Sequence, residues 1–124
     1  MNCRPYVDTD YEALCGWFSA RGMSPPPEDL LPVTGYVADG IAAGFMYFAD
    51  GRLAMLEHFI SNPNAAREDA DAALDVITES LLGRARLYRC RSVVATTQLS
   101  AIKNRAERHG FRDIGQFHFL AKEI

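Results

Sequence analysis

Residues 53–87 run LAMLEHFIS-NPN-AAREDADAALDVITESLLGRARL, from Leu53 to Leu87. Leu53 to Ser61 is apolar and bounded by turn residues, as a strand is. Asn62-Pro63-Asn64 breaks the chain. From Glu68 to about Leu87 the period changes: Ala70, Leu74, Ile77, Leu81 and Ala85 fall three or four apart, one stripe of a long helix. The β-branched run Ser92 to Thr97 then reads as a buried strand. A strand, a long helix and a strand make a β-α-β unit, which is parallel and right-handed. In such sheets ligands collect at strand carboxyl ends and helix N-termini, so the junction between Ser61 and Glu68 is the first place to look.

On the N-terminal side, Asp39-Gly40 and Asp50-Gly51 are two-residue hairpin turns. They link strands Thr34 to Ala38, Ile41 to Phe48 and Leu53 to Ser61 into an antiparallel meander. Asn2 to Val7 forms a first strand. Asp8 and Thr9 are good N-cap types for a helix over Asp10 to Arg21, whose apolar positions Leu14, Trp17 and Phe18 have helical spacing and which Gly22 ends. Ser24-Pro25-Pro26-Pro27 is a rigid connection, too short to separate domains. On the C-terminal side, Ser100 is the expected N-cap of a short helix to His109, with Ile102 and Ala106 inward and Gly110 as its stop. Phe111 to Ile124 alternates enough for one long final strand, kinked at Gly115. The predicted order is β-α-β-β-β-α-β-α-β: a mixed α/β layer fold, one domain over residues 1–124, with about six strands and helices on both faces.

Composition sets the outer limits. The chain has 124 residues, 48% hydrophobic and 23% charged, which suits one globular core and excludes wholesale disorder. No apolar run has the roughly 18 residues a membrane span needs, and the N-terminus lacks an apolar signal region. Cys3, Cys15 and Cys90 form no disulfide framework or metal knuckle and read as reduced thiols of a cytoplasmic protein. The net charge of −3 argues against a dedicated nucleic-acid binder. It is unevenly placed: residues 1–83 carry four basic and thirteen acidic side chains, residues 84–124 nine and three, so the two parts stand at −9 and +6. An anionic ligand or acidic partner for the basic part is one reading of that asymmetry. No phosphate-loop, dinucleotide, zinc-protease or nucleophile-elbow motif is present, and no histidine spacing calls for a metal.

With its order of elements, the chain resembles the GNAT family of acyl-CoA-dependent N-acetyltransferases along nearly its whole length. Leu56-Glu57-His58-Phe59-Ile60-Ser61-Asn62-Pro63 is similar to the family's fourth strand, with its glutamate six residues before a proline. Leu74 falls where the family's helix has an apolar residue, and His109-Gly110-Phe111 looks like its closing Gly-Phe. Trp17 to Pro32 resembles a group of short, often phage-associated members. The resemblance implies acetyl-CoA as co-substrate and an amine as acceptor. The cofactor would lie between the fourth and fifth strands, its pantetheine on the main chain of Phe59, Ile60 and Ser61. Its pyrophosphate would meet the helix start at Ala66, Arg67, Asp69 and Ala70, with Ser100 opening the next helix as a further contact. Glu57, flanked by apolar Leu56 and Phe59, would be the base that takes the amine proton, and a main-chain N–H near Phe59 would polarise the thioester.

Three departures stand against this pattern. Asp69 and Asp71 occupy positions where the family has glycines, bringing negative charge toward a dianion and making the phosphate loop degenerate. Ala106 stands where many members carry a tyrosine that protonates the leaving thiolate. Only fourteen residues follow Gly110, where the family ends in two strands, and a missing edge strand invites a homodimer. A rival reading follows: a catalytically degenerate module of this fold that binds a partner through its basic C-terminal half. Arg84, Arg86, Arg89 and Arg91 discriminate the two readings, according to whether they cluster with Arg105 and Arg108 on one face.

Overall fold

The computed structural model describes residues 1–97 and 99–124. Five strands form one sheet in sequence order: β1 (Cys3–Pro5), β2 (Thr34–Ala38), β3 (Ala42–Phe48), β4 (Leu53–Ser61) and β5 (Ser92–Ala95). The first four are antiparallel and β5 joins β4 in parallel, as the β-α-β reading requires. Helix α1 (Tyr11–Ala20) covers one face through Leu14 and Phe18, which pack on Val37, Ala43, Phe45 and Ile60. The long helix α2 (Arg67–Leu87) covers the other, with Leu74, Ile77, Leu81 and Ala85 on Ala38, Ala42, Met46, Ala54 and Leu56. Ile77 and Leu81 are fully buried, each contributing roughly 1.5–3 kcal/mol of apolar transfer.

Helix α3 (Ser100–Arg108) has no fully buried residue. Charge docks it on α2. Asp71, Asp75 and Glu79 are spaced four apart along α2 and meet Arg105, Arg108 and His109. Among the described residues no helix is long and apolar enough to cross a membrane.

The expected sixth strand is not formed. After Gly110, at φ +90°, Phe111 packs against the α2-side core, and the chain then leaves the sheet without pairing. Alternation of apolar residues sets which face of a strand is apolar. It does not bring an open sheet edge within reach, and the edge strand β5 spans only four residues. Element boundaries also shift. β1 is shorter than Asn2 to Val7, because Asp8–Asp10 is a 3-10 turn: Asp10 accepts the Val7 N–H at 2.9 Å and holds Arg4 through both carboxylate oxygens. Leu99, not Ser100, caps α3, and its N–H donates to the Thr97 hydroxyl.

Candidate active site

The site begins with one extra residue in β4. Phe45 pairs with Glu57 but Ala43 pairs with Ile60, so two residues of β4 lie opposite Gly44. His58 takes up the excess at φ +60°, the left-handed region, which costs a non-glycine residue about 1 kcal/mol or more. The bulge inverts the alternation. Ala54 and Leu56 face α2, whereas Ile60, an even number of residues on, is buried against α1. The Phe59 ring turns to the α2 side, over Gly44.

The bulge also ends the pairing with β5, whose last partners are Leu56 and Ala95. Beyond them β4 runs on through Ser61 with no strand on its outer side among the described residues. Main-chain groups alternate sides along a strand. The Asn62 N–H bonds the Ile41 carbonyl at 2.7 Å, so Ile60 faces β3 with it, while Phe59 and Ser61 face the gap. Of the three residues expected to line pantetheine, Ile60 therefore turns away. Ser61 is already engaged: Arg21, at the end of α1, donates through Nε and Nη2 to its carbonyl and through Nη2 to its hydroxyl.

Glu57 sits at the point of splitting, half-buried. The Thr96 hydroxyl, just past β5, donates to its Oε1 at 3.2 Å. Burial pushes the Glu57 carboxyl above its ordinary value of 4.5, and the Thr96 bond partly opposes this by stabilising the charged form. Neighbouring His58 is tied to Tyr47: Nε2 lies 2.8 Å from the phenol oxygen, which lies 2.7 Å from the Leu30 carbonyl. A carbonyl only accepts, so the single phenol proton goes to Leu30. In the neutral ring Nε2–H therefore donates to Tyr47 and Nδ1 is the acceptor. Burial holds the ring pKa below 6.5, favouring that neutral form.

The gap opens toward the start of α2. Ala70 N–H makes the first helical bond, to the Ala66 carbonyl, and no side chain caps the helix. The N–H groups of Arg67, Glu68 and Asp69 are left without an intrahelical partner, and a helix N-terminus of this kind receives anions. Asn62 shapes the preceding turn, accepting from Asn64 N–H through its side chain and from Ala65 N–H through its carbonyl. Ala66, Arg67 and Asp69 are exposed and Ala70 is half-buried. Of the two acids that depart from the glycine pattern, Asp71 is turned to α3 and neutralised by Arg105. Asp69 remains exposed at the N-terminus. Ser100 is exposed in the first turn of α3.

Thr96, Arg21 and the Tyr47–His58 link were not legible beforehand, because each reaches its partner across elements. Arg84 does not share one face with Arg105 and Arg108. Arg105 and Arg108 pair with acids in the first half of α2, while Arg84 packs on Tyr88 at its far end, about 20 Å along the axis from Asp71.

No family model and no curated protein matches the sequence. Solved structures do match its fold. An acetyltransferase of Trypanosoma brucei is 13% identical with a TM-score of 0.71, covering 98% of this chain and 99% of its own. A Mycobacterium tuberculosis protein in complex with CoA is 17% identical with a TM-score of 0.71, over 98% of this chain and 77% of its own. A predicted acetyltransferase from Clostridium acetobutylicum with acetyl-CoA is 14% identical with a TM-score of 0.70, over 97% and 95%. At these identities the likeness establishes the fold, a GNAT-like mixed sheet between helices.

Proposed function

We propose that this chain is an N-acetyltransferase that moves an acetyl group from acetyl-CoA to an amine. The observation that carries the reading is the bulge at His58, which parts β4 from β5 beside an uncapped helix N-terminus and leaves Glu57 half-buried at the fork. Two proteins of this fold are solved with CoA or acetyl-CoA, which supports the same ligand here.

In this reading the pantetheine arm lies in the gap along Phe59 and Ser61. The pyrophosphate meets the free N–H groups of Arg67, Glu68 and Asp69, with the Arg67 side chain adding a charge-assisted bond. Ala66 and Ala70 bound that turn, and Ser100 lies at the start of the neighbouring helix. Glu57, directly or through a water, takes a proton from the acceptor ammonium so that the free amine attacks the thioester carbonyl, and the raised pKa of its carboxyl suits it to that work. A main-chain N–H of β4 near Phe59 stabilises the oxyanion of the tetrahedral intermediate. CoA then leaves as thiolate, which needs no side-chain acid at Ala106.

Calorimetric titration with acetyl-CoA and with CoA tests the reading. The expected result is a dissociation constant at or below about 100 μM, roughly 5.5 kcal/mol. No heat and no thermal stabilisation at millimolar ligand would overturn it. Given binding, an amine panel scored by thiol release should show turnover that Glu57→Gln lowers at least about tenfold without changing the dissociation constant.

A further inference from the structure

Arg21 stands on a fixed base and reaches across the molecule. It directly follows α1, where the Met23 N–H closes back on the Phe18 carbonyl at 3.0 Å and Gly22 takes φ +71°. Phe18 is buried, so the main chain there is anchored. The side chain is exposed and crosses to β4, forty residues along the sequence. Nε and Nη2 donate to the Ser61 carbonyl at 3.2 and 3.1 Å, and Nη2 also donates to the Ser61 hydroxyl at 2.9 Å. A carbonyl has two lone pairs, and Arg21 takes both. Nη1 makes no bond to the described residues, and no carboxylate among them pairs with this guanidinium.

A cation at the carboxyl end of α1 complements the helix dipole wherever its side chain points. That accounts for an arginine at position 21. It does not account for its place on a main-chain carbonyl that faces the gap between β4 and β5. The start of α2 is close to that place. Asn62, next after Ser61, accepts the Ala65 N–H at 3.0 Å and folds the connection back. The Arg67 N–H therefore lies within about 15 Å of the Ser61 carbonyl. The first turn of α2 holds one cation, Arg67, against Glu68 and Asp69. A dianion received there gains from a second cation.

We propose that Arg21 is a displaceable cover of the acyl-CoA gap and a ligand of the cofactor's pyrophosphate. As acyl-CoA enters, the guanidinium moves from the Ser61 carbonyl to the phosphates, which frees that carbonyl for a pantetheine amide N–H. The inference rests on the acetyltransferase reading. Bonds from a guanidinium to phosphate are charged at both ends and stronger than those to a carbonyl, so the exchange favours binding. It also sets a preference. A thioester without phosphates has to displace Arg21 and offers it nothing in return. Arg21 thus selects CoA thioesters over shorter acyl carriers, and it offsets the charge of Asp69.

The test is an amide-shift titration of wild type, Arg21→Ala and Arg21→Lys with acetyl-CoA and with S-acetylpantetheine, which lacks the phosphates. The side chain is exposed, so the variants keep their fold, checked by circular dichroism. Arg21→Ala should bind acetyl-CoA about tenfold more weakly or worse, and S-acetylpantetheine no more weakly than wild type does. Arg21→Lys, a point charge without the planar fork, should recover part of the loss. In wild type the Arg21 Nε–H resonance should move when acetyl-CoA is added. Equal acetyl-CoA affinity of wild type and Arg21→Ala, equal weakening toward both thioesters, or an unmoved Nε–H would each overturn the proposal and leave the acetyltransferase reading standing. Wild type that binds neither thioester would overturn that reading, and the proposal with it.

Discussion

Glu57 is half-buried with one hydrogen bond, from Thr96, to its charged form. A base works only once deprotonated, so turnover should rise with pH through a Glu57 pKa that burial has lifted above 4.5. Thr96→Val removes the bond that holds this pKa down. The acid limb of the kcat/KM profile should then move to higher pH; an unmoved limb would mean that Glu57 is not the titrating base. Asp69 is the neighbouring test of electrostatics. It stands exposed in the first turn of α2, while Asp71 is held by Arg105. Asp69→Asn should tighten acetyl-CoA binding by about two- to five-fold at low salt, and less at high salt, as screened like charges do. Titration at two ionic strengths reads both values, and equal affinity of the two proteins would place Asp69 away from the phosphates.

The bulged strand β4 is the element on which the site depends, and it was only half legible. Glu57 and Pro63 marked the strand and its end, so the junction was found from sequence. The extra residue was not, because no glycine or asparagine marks the left-handed position that His58 fills. Two supports hold the bulge. A Cβ on Gly44 would lie 2.9 Å from both Ile77 and the Phe59 ring. Gly44→Ala should therefore cost about 1–3 kcal/mol, read by urea unfolding, and weaken acetyl-CoA binding because the strand moves with it. The second support is the His58–Tyr47–Leu30 link. A ring whose folded pKa lies below 6.5 stabilises the protein above that pH, and the contribution is lost as pH falls through the folded value. Wild type should lose stability below about pH 6.5 more steeply than His58→Asn, which tolerates the same backbone conformation. Parallel pH curves would remove His58 as the cause.

At the scale of the whole molecule, the meander of β2 to β4, the crossover and the apolar stripes of α1 and α2 followed from periodicity and turn residues, since hairpins and β-α-β units are local in sequence. The final strand did not follow, because whether Phe117 and Phe119 pair depends on an edge that residues 111–115 steer away from. The charge asymmetry was legible as numbers but not as geometry: part of the basic half neutralises the acidic half, where Arg105 and Arg108 meet Asp71 and Asp75. At the start of α2 Asp69 stays exposed, a short connection beyond β4, whose pairing with β5 stops at Leu56 and leaves a gap. The most direct test of that gap as the acyl-CoA site is a map of backbone amide shifts during acetyl-CoA titration. Saturable shifts should concentrate at Phe59, Ser61, Arg67, Glu68 and Asp69, with Tyr88 to Arg91 unchanged. Shifts centred on the arginines at the far end of α2, or none at all, would contradict it.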